Sequence, residues 1–175
     1  MKKLPTLIVL LIVTLGLISI IAYAYQSSQK RAVLPITTSP QTVKNLSYII
    51  DGTTYTLIDG KNAAGTVQLF GEPVYGDLNS DGDSTDAAVL LTYNPGGSGT
   101  FYYATLALKT NGEYRVTNTL LLGDRIAPQT VEIHEGRAVF NYAERKATDP
   151  MTTQPSIGKS AMILYDASTN TISQK

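Results

Sequence analysis

Residues 87–110 read AAVLLTY-NPGGSG-TFYYATLALKT, two apolar runs joined by a turn-rich hexapeptide. The first run, 87–93, is apolar at almost every position. The second, 100–110, is rich in aromatic and β-branched residues, which fit a pleated sheet better than a helix. Because Gly and Pro bound both runs, we predict two strands joined by a hairpin loop in the middle of the chain.

Further strand candidates lie on both sides of this hairpin. Asp-Gly, Glu-Gly and Asn-Gly pairs stand between several of them, and such pairs favour two-residue turns because both turn residues need positive φ. No segment beyond Lys30 has a sustained helical period. The sequence therefore predicts an all-β domain, a meander that forms a sandwich or an open barrel. The candidates are 46–50, 53–58, 66–70, 113–122, 130–134, 137–144, 161–166 and 171–173.

The N-terminal segment predicts export from the cytoplasm. Lys2 and Lys3 precede an apolar stretch of 18 residues from Leu7 to Ala24. This length exceeds the ~7–15 residues of a signal-peptide core and approaches the ~20 that span a bilayer. We therefore expect an uncleaved, single-pass transmembrane helix with the rest of the chain extracytoplasmic. The alternative is secretion after cleavage near Ala24, because Ala22-Tyr23-Ala24 has the small-x-small form of a cleavage site.

These features divide the chain into three parts. Residues 1–25 form the anchor or signal peptide. Residues 26–44 are polar, contain Pro35 and Pro40, and are predicted to be a flexible linker. Residues 45–175 form the β domain. The formal net charge of the chain is zero, so nothing indicates a nucleic-acid partner, and the absence of Cys excludes disulfides and thiolate metal sites.

The segment GDLNSDGDSTD (76–86) holds the only dense acidic cluster. Asp77, Asn79 and Asp81 are spaced i, i+2, i+4 and Gly82 follows, which matches positions 1, 3, 5 and 6 of an oxygen-ligand calcium loop. Asp83 would occupy position 7, where a backbone carbonyl usually binds.

The twelfth position of such a loop, a bidentate Glu in an EF-hand, is Ala88 here, which excludes a full EF-hand. Asp86 remains the candidate for closing the coordination shell. We predict a structural Ca²⁺ site formed by Asp77, Asn79, Asp81, Asp83 and Asp86. The carboxylates of this segment repel one another, and a hard divalent cation with many oxygen ligands removes that cost. The alternative is a solvated turn in which Asp and Asn bond to the local backbone.

The loop resembles the calcium loops of β-propeller FG-GAP repeats and, less closely, those of dockerins. In FG-GAP loops the closing Asp comes one residue earlier than Asp86. Over 75–157, the blocks GDLNSDG, DAAVLL, GGSGTFYY, LLLGDRI, NYAER and DPM-x-x-x-PS resemble an uncharacterised group of short bacterial extracytoplasmic proteins. This resemblance implies an exported bacterial domain and implies no particular activity.

The predicted role is binding or structural, with an envelope ligand or protein as the unidentified partner and with no catalytic residue assigned. One alternative is a hydrolase of an envelope polymer that uses two carboxyls about 5–10 Å apart. Its candidates are Asp124, Glu132, Glu144 and Asp149. A second alternative is a structural domain that binds no metal. The Pro-containing segment 144–159 is predicted to be a long loop and a place for a binding surface.

Overall fold

The structure is a computed structural model that describes residues 41–175, and antiparallel strands dominate this part of the chain. The prediction of an all-β fold is confirmed. The predicted anchor (1–25) and most of the predicted linker (26–44) lie outside the described residues. Among residues 41–175, no helix has the length and apolar character needed to span a membrane. The strands are β1 (Ser47–Ile50), β2 (Thr53–Thr56), β3 (Val67–Leu69), β4 (Val74–Gly76), β5 (Asp86–Tyr93), β6 (Phe101–Thr110), β7 (Glu113–Val116), β8 (Leu120–Asp124), β9 (Ala127–His134), β10 (Arg137–Glu144), β11 (Ile157–Asp166) and β12 (Thr171–Gln174).

The strands form three layers. A six-stranded sheet has the order β3-β5-β6-β7, with β4 also pairing with β5 and β8 with β6. A four-stranded sheet, β12-β11-β10-β9, packs on one face of it through a shared apolar core. The β1–β2 hairpin packs on the other face through a second core. The six-stranded sheet is therefore the middle layer of a sandwich.

The predicted central hairpin forms this middle layer. Strand β5 is buried at every position except Tyr93 because alternate side chains point into different cores. Ala88 and Leu90 join the core shared with the four-stranded sheet, whereas Val89 and Leu91 join the core beneath the β1–β2 hairpin. A strand buried on both faces needs apolar residues at consecutive positions, which accounts for the continuous run at 87–93.

Two-residue turns set the register of the hairpins. Between β6 and β7, Asn111 has φ 53° and Gly112 has φ 84°, and Thr110 pairs with Glu113. Asp51-Gly52 and Glu135-Gly136 also have positive φ at both residues. Glycine reaches this region without strain and Asn or Asp tolerates it, so the turn positions follow from the sequence.

The predicted strand 113–122 is wrong in its extent, because the structure divides it into β7 and β8. Thr117, in the gap between them, is 2% exposed. Its Oγ1 accepts a hydrogen bond from the Leu106 N–H at 3.1 Å. In a continuous strand pair, a backbone carbonyl of the neighbouring strand would accept this bond. The pattern also missed β4, whose three residues are too short for a periodic signal.

The β domain begins earlier than the predicted boundary at residue 45. Val43, in the 3₁₀ turn Val43–Asn45, is 1% exposed, and its carbonyl accepts a hydrogen bond from the Tyr48 hydroxyl at 2.7 Å. The Tyr114 N–H donates to Gln41 Oε1 at 3.0 Å. Residues 41–44 are therefore part of the domain. Since both cores lie between Val43 and Ile172, a fragment covering 41–175 contains a complete core of its own.

Candidate calcium-binding loop

The acidic segment connects β4 to β5, which pair antiparallel with Gly76 opposite Asp86. One apolar side chain, Leu78, lies 3% exposed in the core between the two large sheets. The polar residues around Leu78 are thereby held at the end of the sandwich. The loop is thus fixed at its base by an apolar contact and by the start of a buried strand.

Asp86 is 1% exposed and forms the inner wall of the loop. Its Oδ2 accepts hydrogen bonds from the backbone N–H groups of Leu78 (3.0 Å) and Asn79 (3.1 Å), and its Oδ1 accepts one from Lys109 N–H (2.7 Å). Burial raises the pKa of the Asp86 carboxyl, the backbone donors oppose that rise, and the charge of Asp81 adds to it. One carboxylate therefore joins both ends of the loop to β6.

The outer part of the loop is a series of side-chain-to-backbone turns. The Asp81 N–H donates to Asn79 Oδ1 (2.9 Å), and the Asp83 N–H donates to Asp81 Oδ1 (2.9 Å). The Gly82 N–H donates to Asp77 Oδ2 (3.0 Å), and Gly82 has φ 89°, as the predicted sharp turn requires. The chain therefore curls so that the side chains of Asp77, Asn79 and Asp81 serve one turn.

The second oxygen of Asp77 has no partner. Asp77 Oδ1 is buried and accepts no hydrogen bond, and it is the one such side-chain atom found among residues 41–175. The outer oxygen of Asp81, Oδ2, receives only the Asn79 amide at 3.0 Å. No carboxylate of the loop takes part in a salt bridge within the described part of the chain. The loop therefore collects negative charge without a cationic side chain to balance it.

The predicted ligands fall into two groups. Asp77, Asn79 and Asp81 are joined by the turn, whereas Asp86 directs three of its lone pairs to backbone donors. Asp83 is exposed and is joined to the turn through its own N–H. Within 41–175, no group of three or more His, Cys, Asp or Glu side chains is arranged so that it could hold a metal ion. Asp86 is buried and fastens the loop to the sheet, whereas the other carboxylates belong to the outer turn.

Sequence reasoning missed the contribution of β6 and β7 to this site. Lys109 supplies a backbone donor, and the Tyr114 hydroxyl donates to the Thr85 carbonyl at 3.1 Å. The Lys109 ammonium lies 5.5 Å from the centre of the Tyr114 ring. A backbone N–H has no sequence signature of its own, so only the register of β5 against β6 reveals the contact.

The four candidate carboxylates of a hydrolase each have a local partner. Asp124 pairs with Arg125 at 2.9 Å, Glu132 with His134 at 2.8 Å and Glu144 with Lys159 at 3.1 Å. Asp149 accepts the Lys146 N–H at 3.2 Å. A cleft opens between the two large sheets, and none of the four lines it. Within 41–175, therefore, no pair of these carboxylates faces this cleft.

The predicted loop 144–159 is shorter in the structure, because β10 extends to Glu144 and β11 begins at Ile157. Arg145 fastens the connection by donating from Nε to the Thr153 carbonyl. Its second donor, Nη1, reaches the Asp124 carbonyl at 3.5 Å. The segment is thus anchored to the end of β8, while most of its residues between Lys146 and Ser156 remain exposed.

Comparison with models of protein families, with curated proteins and with solved structures finds no match to this chain.

Proposed function

We propose that this protein is a membrane-tethered, extracytoplasmic β domain with a binding or structural role, and that the loop 77–86 binds Ca²⁺ as a structural ion. The observation that carries the metal proposal is the buried, unpartnered Oδ1 of Asp77 beside the turn formed by Asn79 and Asp81. A buried carboxylate oxygen without a donor carries a free-energy cost, and a cation removes it.

Chemistry selects the ion. Asp77 and Asp81 offer carboxylate oxygens, Asn79 offers its amide oxygen and Asp83 its backbone carbonyl, and hard oxygen ligands suit Ca²⁺. Ca²⁺ accepts six to eight ligands in flexible geometry, whereas Mg²⁺ requires a near-ideal octahedron. An irregular turn with side chains of several lengths fits the larger ion. The ion would replace the Asn79 amide as the partner of Asp81 Oδ2.

Asp86 has a different role in this proposal. A carboxylate offers about four lone-pair directions, and three of those of Asp86 accept backbone N–H groups. At most one direction is left for an ion. Asp86 therefore shapes the loop, and Asp77, Asn79 and Asp81 would hold the ion together with the Asp83 carbonyl. Because the carboxylates form no metal-binding group in the described arrangement, they would have to draw together around the ion. The part of the chain that the structure describes contains no paired helices that could open and close, so the ion would stabilise the start of β5 and would not act as a switch.

The test is thermal unfolding of residues 41–175 in excess Ca²⁺ and in chelator, with Asp81→Ala as the variant. Extracellular calcium modules bind at about 10⁻⁴–10⁻³ M, and ligand at 100 times the dissociation constant stabilises the fold by ~2.7 kcal/mol. We expect the midpoint of the wild-type domain to rise by roughly 10 °C and that of Asp81→Ala to stay where chelator leaves it.

The matched control is Asp149→Ala. Asp149 Oδ2 accepts the Lys146 N–H, so it holds a comparable local turn in the connection from β10 to β11. This variant should keep the full response to Ca²⁺. If wild type shows no shift at about 100 mM Ca²⁺, 100 times the weakest expected dissociation constant, or if both variants respond alike, the loop is a turn stabilised by its own hydrogen bonds and the metal proposal fails.

The tether is tested separately by fractionation of cells that express the full chain with a C-terminal tag. We expect the protein in the membrane fraction at full mass, because the stretch from Leu7 to Ala24 has nearly the length of a bilayer span. A shorter chain in the membrane-free fraction would establish cleavage near Ala24 instead. Neither result affects the calcium experiment.

A further inference from the structure

A cavity of about 160 Å³ opens between the two large sheets, at the edge where β9 faces the connection from β3 to β4. Its floor is formed by Leu90, Leu122, Ile126 and Phe140, each 8% exposed or less. We call this cavity the ring pocket. An apolar cavity of about 150 Å³ is large enough to take up benzene, so the volume and lining suit one six-membered ring.

The mouth of the ring pocket contains an exposed aromatic side chain. Phe70 is 42% exposed, although a large apolar group there gains nothing from contact with water. The Phe70 ring meets the Tyr102 ring edge-on at 5.4 Å between centroids, which fixes its orientation at the opening. A ring inside the pocket would bury the remaining apolar surface of Phe70.

A break in β9 places a polar group at the same mouth. Thr130 pairs with Asn141 and Pro128 pairs with Tyr142, so Gln129 has no partner residue across the ladder. Such bulges redirect side chains and are frequent beside binding sites. The Gln129 amide makes no hydrogen bond to another described residue, although it lines the pocket. It can therefore donate to, or accept from, a polar group at the edge of a bound ring.

The charge at the rim is already balanced. Among the described residues that line the pocket, Glu72 is the one that is charged, and its Oε1 lies 2.8 Å from Lys44 Nζ. A charged ligand would have to leave water without a free countercharge, which is unfavourable. From volume, apolar floor, exposed Phe70 and the Gln129 bulge, we propose that the ring pocket binds a small, uncharged aromatic molecule with one hydrogen-bonding substituent, of the phenol class. This proposal is independent of the calcium loop.

The test is a titration of residues 41–175 with phenol and with benzene, followed by methyl NMR. We expect saturable shifts at the methyls of Leu90, Leu122, Ile126 and Val131, and unchanged methyls in the second core, such as Leu57. Phenol should bind about tenfold more tightly than benzene, and Gln129→Ala should remove that difference without changing the affinity for benzene.

Matched substitutions check the location. Val131→Phe fills the pocket and should weaken both probes by about tenfold or more. Val139→Phe makes the same change on β10 at a position that does not line the pocket, and should leave binding unchanged. Val139 is the control for any cost of the larger side chain to folding.

Several results would overturn the proposal. They are the absence of saturable shifts in the wild-type domain, shifts spread equally over both cores, and undiminished binding in a folded Val131→Phe. If Val131→Phe does not fold, the wild-type methyl shifts alone decide, because they must be confined to the lining residues. Equal affinity of phenol and benzene would refute the polar contact assigned to Gln129.

Discussion

Asp86 and Asp124 both fasten a loop to the six-stranded sheet, but among residues 41–175 only Asp124 has a cationic side chain in a salt bridge with it. Asp124 Oδ1 accepts the Thr100 N–H at 2.9 Å, and Arg125 lies 2.9 Å from Oδ2. Asp86 accepts three backbone N–H groups and has no salt bridge within the described residues. The Asp124 carboxylate is about a quarter exposed and is paired with a cation, whereas the Asp86 carboxylate is buried and has no cationic partner among the described residues.

The pKa values of the two carboxyls are shifted in opposite directions, as this contrast leads us to expect. The hydrogen bond from Arg125 holds the pKa of the Asp124 carboxyl below its usual value. Burial raises the pKa of the Asp86 carboxyl despite its backbone donors. Backbone N–H groups thus occupy the hydrogen-bond acceptor sites of a carboxylate but do not stabilise its negative charge as fully as a cationic side chain does. We therefore expect an added cation to stabilise the acidic loop more than it stabilises the site at Asp124.

We expect the largest effect on stability from removing the Asp86 carboxylate, and a smaller one from removing that of Asp124. Asp86→Ala leaves the N–H groups of Leu78, Asn79 and Lys109 without acceptors in a buried site, and we expect a loss of about 3 kcal/mol or more in the free energy of unfolding. Asp124→Ala exposes its donor to water and should cost about 1 kcal/mol. Denaturant unfolding of residues 41–175 in chelator measures both.

Equal losses in the two variants would mean that burial does not distinguish the two sites. The same experiment in saturating Ca²⁺ separates the roles within the loop. Asp86→Ala should then recover only part of its lost stability, because the ion does not replace the bond to Lys109.

A titration of the side-chain carboxyl carbons by NMR sharpens the contrast in acidity. The Asp86 carboxyl should titrate above the usual Asp range and Asp124 below it. The folded state holds the Asp86 proton more tightly than the unfolded state does. The stability gained from this proton is therefore complete below the unfolded pKa of Asp86 and is lost as pH rises through the raised, folded pKa. The Asp124 contribution is present above the unfolded pKa and is lost as pH falls through the lowered value.

Calcium should move only one of these pKa values. Saturating Ca²⁺ at the loop places positive charge near Asp86 and should lower its pKa, while that of Asp124 stays constant. A shift of both carboxyls would indicate nonspecific ion binding, and a shift of neither would place the ion outside this loop.

The middle layer of the fold could be predicted from sequence because its signals are local. The run at 87–93 and the Asn111-Gly112 turn each act within a few residues, and both appear in the structure as expected. The third layer could not be predicted, because a continuous apolar run predicts burial on both faces but not the partner on each face. Here one of the partners is the hairpin that contains Tyr48 and Ile50, some 40 positions earlier in the chain.

The candidate site also has one part that could be predicted from sequence and one part that could not. The turn through Asp77, Asn79 and Asp81 follows from spacing, since each side chain bonds to a backbone group a few residues away. The role of Asp86 depends on Lys109, 23 residues distant, and on a backbone atom that any residue would supply. Strand register creates that contact, and register is set by cores and turns far from the loop.

Removing the cation from the balanced site is the smallest and most selective change. Arg125→Gln leaves Asp124 bonded to the Thr100 N–H but without its ion pair, so that Asp124, like Asp86, keeps backbone donors and loses its cation, at a partly exposed position. The pair is 29% and 26% exposed at Arg125 and Asp124, so solvent screens it, and we expect a loss of only about 0.5 kcal/mol. The pKa of Asp124 should rise towards its ordinary value in the same titration. A loss comparable to that of Asp86→Ala would show that the ion pair, and not burial, controls the stability of these carboxylates, and would weaken the case that the acidic loop needs a metal.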